Sequence, residues 1–125
     1  MTPNDRRYTK EHEWIIVDGN KARLGITAHA QEALGDIVYV ELPAVGDEVA
    51  AGASFAVVES VKAVSNVYTP AGGKVLSVNT ALENEPELLN QAPYEHFLAE
   101  LEVTALDEGA LLTAEEYDAL VASEG

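Results

Sequence analysis

The stretch "VVESVKAVSNVY", Val57 to Tyr68, sets one lysine in the middle of a run that otherwise reads as buried β-strand. Val57, Val58, Val61, Val64 and Val67 are β-branched, and such side chains stiffen the backbone and suit strands. On either side a Pro-x-x-Gly turn recurs: "ELPAVGDEVAAG" leads into "SFAVVES", and "YTPAGGKVLSV" follows "AVSNVY". This loose internal echo predicts two similar half-sheets joined by a hairpin with Lys62 at its tip.

Outward from that hairpin, "IVYVEL" and "KVLSVN" read as further short strands, punctuated by Pro43, Gly46, Gly52, Pro70, Gly72 and Gly73. Short strands with frequent turn residues indicate a small sandwich or barrel. "HEWIIV", then "DGN", then "KARLGI" predicts a β-hairpin turned by Asp18-Gly19. "TAHAQEALG" predicts a helix capped by Thr27 and ended by Gly35. "ENEPELLN" is compatible with a short helix beginning at Pro86, "FLAELEV" alternates as a closing strand, and "TAEEYDALVA" is a helix with Thr113 and Glu116 at capping-box spacing. Leu112, Tyr117, Leu120 and Val121 form its expected buried face. The expected architecture is mainly β with short helices, in one domain over residues 1–125. Residues 1–7 are expected to be flexible and 113–122 to be the C-terminal helix.

Composition narrows the function. The 125 residues are 47% hydrophobic, enough for a core without metal or disulfide staples. Cysteine is absent, which removes disulfides, thiolate metal sites and thiol nucleophiles. Twenty-two acids against seven Lys and Arg leave a net charge of −15, and after Arg23 only Lys62 and Lys74 are basic. Phosphate binding needs clustered cations, so nucleic acid and anionic membranes are not expected partners. No apolar run approaches the roughly 20 residues of a membrane span, and "MTPNDRRYTK" has no signal- or transit-peptide character, so the expectation is a soluble, cytoplasmic, bacterial-type protein. His12, His29 and His96 show no ligand spacing, no serine sits in a nucleophile elbow, and no metal site or catalytic residue is predicted.

A stiff hairpin displaying one lysine suits a modifying enzyme, which must find one amine and ignore others. At a reference pKa of about 10.4, only on the order of one amine in a thousand is nucleophilic at pH 7, so the acyl donor must be activated. Acylation removes the charge and makes the lysine stem the base of a mobile arm.

"YTKEHEW", "GIT.HAQEALG", "GDIVYVELPAVGDEV", "AVVESVKAVS", "NEPELLN" and "EVTALDEGALLTAEEYDALVASE", in this order, resemble the glycine cleavage system H-protein family from Tyr8 to the C-terminal helix. The resemblance implies a mainly β barrel-sandwich hybrid of the lipoyl- and biotinyl-carrier type, and a non-catalytic carrier of lipoate, attached at Lys62 within the modification motif Glu59, Ser60, Val61 and Ala63. It implies a pyridoxal-phosphate glycine decarboxylase (P protein) that loads an aminomethyl group on the arm. A folate-dependent aminomethyltransferase (T protein) removes it, and a dihydrolipoyl dehydrogenase (L protein) reoxidises the arm. A lipoate ligase or octanoyl/lipoyl transferase would attach it. The arm pocket implied lies near "HEW", "GIT.HAQ" and the residues after the lysine. Glu13 is the candidate to pair with a cationic arm, with His29 and Asn66 as neighbours. The competing readings are a solvated strand carboxylate for Glu13 and a helix-surface imidazole for His29, while Trp14 reads as core.

The chain departs from the family pattern at Ala28 and Asn66, where acids are usual. It also departs at "PYEHFLAELEV", which is one residue short, has Phe97 for tryptophan, and carries Glu100 and Glu102 on a strand often rich in lysine. Two alternatives stay open: an H-like carrier relaying octanoyl or lipoyl groups to other enzymes, and an unmodified binding module of the same fold.

Overall fold

The alternating apolar pattern that marked the strands is resolved into nine of them in a computed structural model that describes residues 2–124. In chain order they are β1 (Arg7–Tyr8), β2 (Glu13–Asp18), β3 (Lys21–Ile26), helix α1 (Ala28–Leu34), β4 (Ile37–Glu41), β5 (Glu48–Val49), β6 (Ser54–Ser60), β7 (Val64–Tyr68) and β8 (Ala71–Val78). Helices α2 (Ala81–Asn84) and α3 (Leu88–Gln91), strand β9 (Ala99–Leu106), a 3₁₀ turn (Glu108–Ala110) and α4 (Ala114–Glu124) complete the chain.

The strands form two antiparallel sheets. One has the order β1-β2-β3-β9-β8-β5, the other β4-β6-β7, and neither closes on itself. Between the sheets, Leu24, Val75 and Leu101 from the larger meet Val40, Val58 and Val67 from the smaller, all at most 3% exposed. Each such side chain contributes roughly 1.5–3 kcal/mol by leaving water. Leu82, Leu89 and Leu98, from α2, α3 and the segment before β9, fill the same core. Helix α2 had no sequence signal, because one turn with a single buried leucine has no readable period. Helix α3 starts two residues after Pro86, whose carbonyl accepts from Leu89 N.

The Pro-x-x-Gly echo has a physical counterpart. The segments that follow the two prolines pair with each other, Glu48 opposite Lys74 and Val49 opposite Gly73, with Gly46 N donating to Val75 O and Val75 N to Asp47 O. A β-carbon on Gly73 would lie 1.9 Å from the carbonyl oxygen of Glu102, so β8 can approach β9 this closely only with glycine there. In the β2–β3 hairpin the two loop residues are Gly19 and Asn20, and only Gly19 has positive φ, so glycine alone supplies the turn that was assigned to Asp18-Gly19.

A second, aromatic cluster ties the chain ends to the sandwich. Tyr8 stacks on Tyr117 of α4 at 4.8 Å, and Tyr8 and Leu112 exchange backbone hydrogen bonds. Thr113 and Glu116 form the expected reciprocal cap, and α4 runs to Glu124 rather than to residue 122. Within residues 1–7, expected to be flexible, Arg6 lies over the Trp14 ring at 4.6 Å and donates to Tyr94 O, and Arg7 opens β1. Met1 lies outside the described residues. Trp14 is core, with its indole N–H donating to Pro93 O.

Candidate functional site

Strands β6 and β7 are joined by Val61, Lys62 and Ala63. Ser60 shapes this turn. Its Oγ accepts from Lys62 N and Ala63 N, while its own N–H donates to Ala63 O. Val61 N donates across to Asp36 O, fixing the hairpin to the loop after α1. Lys62 is exposed, between Val61 at 70% and Val64 at 66% exposure. The tip is therefore rigid in backbone and open in side chain, as the sequence predicted for Lys62. Glu59, of the same motif, sits opposite Tyr39 and Val64 on the outer face of the small sheet.

The ledge beneath the tip is made by a residue to which the sequence assigned no role. Asn90 on α3 donates from Nδ2 to Gly35 O and Gln31 Oε1 and accepts at Oδ1 from Ile37 N. It clamps the end of α1 to the start of β4. Gly35, at φ +81°, ends α1, and the position its β-carbon would take lies 3.4 Å from Lys62 Cε, so the lysine stem passes over a bare backbone.

Glu13 is 3% exposed. Its Oε1 accepts from Thr9 Oγ1 at 2.6 Å and its Oε2 from Tyr68 N at 2.9 Å, which links β2 to β7. Burial pushes its carboxyl up to about 7, against the lowering effect of those two hydrogen bonds. Two hollows meet at this residue. A narrow groove of about 30 Å³ runs between α1, β2 and β7, lined by His12, Glu13, Ala30, Leu34, Ser65 and Asn66. A wider cleft of about 440 Å³ is lined by Glu11, Glu13 and Asp107 together with Thr9 and Tyr68, and has three carboxylates and no cation in its walls. Asn66 is exposed and accepts at Oδ1 from Ser54 Oγ.

His29 is not a lining residue of either hollow. Its ring lies tilted against His12 with centroids 4.4 Å apart, and both Nε2 atoms face Glu124 Oε1, at 3.2 Å from His12 and 3.8 Å from His29. Sequence spacing gave no hint of this meeting, because its members stand at positions 12, 29 and 124. His12 Nδ1 is 2.8 Å from Tyr117 Oη, which is 2.7 Å from Thr27 Oγ1. Desolvation, then the neighbouring His29, hold His12 below the usual imidazole range, and burial pushes Tyr117 up to about 12.

The departures from the family pattern are absorbed locally. At Ala28, where an acid is usual, the helix start is held without one: Thr27 Oγ1 caps α1 by accepting from Ala30 N, and Ala28 N donates to Tyr94 Oη. Glu100 and Glu102 face cations across the sheet: Arg23 pairs with Glu100 at 3.2 Å, and Lys21 and Lys74 stand in register with Glu102. Phe97 packs in the aromatic cluster beneath Arg23, whose guanidinium lies 4.9 Å from the ring centroid.

Among the described residues no helix is long and apolar enough to cross a membrane. A family model described as "Glycine cleavage H-protein" matches residues 6–124. The chain is 50% identical to the glycine cleavage system H protein of Carboxydothermus hydrogenoformans over 100% of its own length and 98% of that relative. It is 51% identical to that of Alcanivorax borkumensis over 98% and 97%. The crystal structure of a glycine cleavage system H protein from Mycobacterium marinum superposes with a TM-score of 0.90 at 44% identity, covering 97% of this chain and 99% of the other. A mainly β sandwich with a lysine-bearing hairpin, matched at this identity from end to end, belongs to the glycine cleavage H-protein family.

Proposed function

We propose that Lys62 is the residue on which this carrier holds its lipoyl group, and that the groove and cleft that meet at Glu13 shelter the loaded arm. The family is one of non-catalytic carriers in glycine cleavage, so the chain's residues must present, receive and protect rather than react. When bound, the lipoyl disulfide supplies the group that takes up the aminomethyl unit of decarboxylated glycine and is afterwards reoxidised. The P, T and L proteins would act on it in turn, after a lipoate ligase or octanoyl/lipoyl transferase has acylated the Lys62 amine.

The observation that carries this reading is the fixed geometry of the tip. Ser60 closes the turn through its hydroxyl, Asp36 anchors it, and Lys62 is the one amine at the exposed tip, between Val61 and Ala63. An enzyme that recognises this backbone finds one amine. The fit extends beyond the attachment point. Val64 to Tyr68 spans about 13 Å at the strand rise, a distance that brings the far end of β7 within reach of an extended acyl arm. The hydrogen bond from Tyr68 N puts the Glu13 carboxylate at that end. Ala30 and Leu34 offer apolar walls along the way, and the acids beyond offer acceptors to a protonated amine. Glu13, with its carboxyl raised to about 7 by burial, is only partly ionised near neutral pH, and a cation beside it would favour the ionised form and gain a charge-assisted partner. Asn66 contributes a neutral amide at the same groove.

Intact mass before and after lipoate ligase, lipoic acid and ATP tests the attachment. One lipoyl increment, mapped to Lys62 and absent in Lys62→Arg, is expected. An increment that persists in that variant, or that maps to Lys74, would overturn the assignment. Reconstituted glycine decarboxylation exchange with the lipoylated chain then reads out the carrier role, and a lipoylated chain inert in that exchange would point to acyl relay instead.

A further inference from the structure

We infer that His12, His29 and Glu124 form a binding site for a divalent metal ion of the zinc type. Their ligating atoms all lie within 4.8 Å of one another. Zinc held at about 2.0–2.1 Å by nitrogen and oxygen sets its ligand atoms about 3.4 Å apart in a tetrahedron. The His12–Glu124 and His29–Glu124 separations of 3.2 and 3.8 Å bracket that edge. The third edge, between the two imidazoles, is at most 4.8 Å and would close by rotation of His29, whose side chain is 37% exposed. Solvent would supply the fourth position.

The surroundings match what a metal-ligating imidazole requires beyond its first contacts. A ligating histidine donates its other ring N–H to a fixed partner, which settles the tautomer. His12 Nδ1 lies 2.8 Å from Tyr117 Oη, and that hydroxyl lies 2.7 Å from Thr27 Oγ1. A relay in which His12 donates to Tyr117 and Tyr117 to Thr27 leaves the lone pair of His12 Nε2 aimed at Glu124. His12 also holds φ at +68°, the sole positive φ among the described non-glycine residues. A bulky residue held in that region costs free energy, and such strain gathers where a side chain must be aimed.

Charge favours a cation here as well. Glu124 is the last described residue of α4, whose final turn has no basic residue, so the negative end of the helix dipole is uncompensated. Glu11 adds a second negative charge near His12. Two imidazoles and one carboxylate suit Zn²⁺, Ni²⁺ or Cu²⁺ and are poor for Mg²⁺ or Ca²⁺, which prefer all-oxygen shells. A bound ion would join α1, the turn before β2 and the end of α4 at one point, beside the groove that His12 also lines. The inference does not depend on which residue carries the acyl arm.

The test is calorimetric titration of Zn²⁺ into the full, unlipoylated chain after chelator treatment, paired with nitrogen-15 spectra of the imidazoles. His96 is the internal control. One Zn²⁺ per chain with a Kd of about 10 µM or tighter is expected, with the His12 and His29 resonances shifting and His96 still. His29→Ala and Glu124→Gln should each weaken binding by at least about tenfold, and His96→Ala should not. Neither of the two weakening variants removes a core side chain. No saturable binding up to about 1 mM, equal affinity in wild type and His29→Ala, or shifts shared with His96 would each overturn the proposal.

Discussion

Lys62 sits in a hairpin turn and Glu13 at the start of a strand, and they are held in different ways. The Lys62 turn is fixed chiefly by Ser60 and Ala63, within a few residues of the lysine, so its geometry travels with a short piece of chain. Glu13 is fixed by Thr9 on its own side and by the backbone of Tyr68, 55 positions away, and its charge state is decided by the burial these contacts create. A presented residue can be specified by a local motif. A sheltered one exists only when distant segments have come together.

Variants can break that contrast. The largest effect is expected from Lys62→Arg, which should abolish lipoylation while leaving the thermal unfolding midpoint unchanged, because the side chain is exposed and makes no hydrogen bond among the described residues. Next is the pH dependence set by Glu13. Its carboxyl is raised in the folded chain from an ordinary 4.5 to about 7, so the folded state keeps a proton that the unfolded chain releases. The stability associated with that proton is full below pH 4.5, declines as pH rises to about 7 and is gone above. Glu13→Gln, neutral throughout, should therefore match the wild type near pH 4 and exceed it by up to about 3 kcal/mol at pH 8. Urea unfolding at both pH values checks this, and parallel curves for the two proteins would remove Glu13 as a buried acid. Lipoylation of Glu13→Gln should proceed as in the wild type, while the aminomethyl-loaded arm should be lost to hydrolysis faster.

Two smaller effects sharpen the comparison at its boundary. Asn90→Ala leaves Ile37 N and Gly35 O without their partner and should cost about 2 kcal/mol. Because the ledge supports the tip, ligase-catalysed modification should slow as well. Ser60→Ala removes one acceptor shared by two backbone donors and should cost about 1 kcal/mol, with a several-fold slower modification rate measured by intact mass. If Asn90→Ala destabilises without slowing modification, the tip is more self-contained than the ledge contacts imply.

The same division explains what could be read from the chain alone. The β6–β7 hairpin, the Thr27 cap of α1 and the Thr113–Glu116 box were legible because each is written within about a dozen residues. The pairing of Glu13 with Tyr68 N was not, since a backbone donor has no residue type to recognise. Nor was the meeting of His12, His29 and Glu124, which depends on the Tyr8–Tyr117 stack that brings α4 back to the start of β2. Asn90 was visible as part of a motif, but its clamp on Gly35 and Ile37 needs α3 placed against α1. Glu100 and Glu102 read as lost positive charge, and only the register shows Arg23, Lys21 and Lys74 beside them.

The two-residue lengths of β1 and β5 have a consequence for solubility under crowded conditions. These strands are the two edges of the larger sheet, and so short an edge gives another chain almost nothing to pair with. In the smaller sheet, β4 is interrupted by a register shift between Ile37 and Tyr39, and Tyr68 N at the end of β7 is already taken by Glu13. Short and interrupted edges thus offset the aggregation hazard of Val61 and Val64, which lie uncovered beside Lys62.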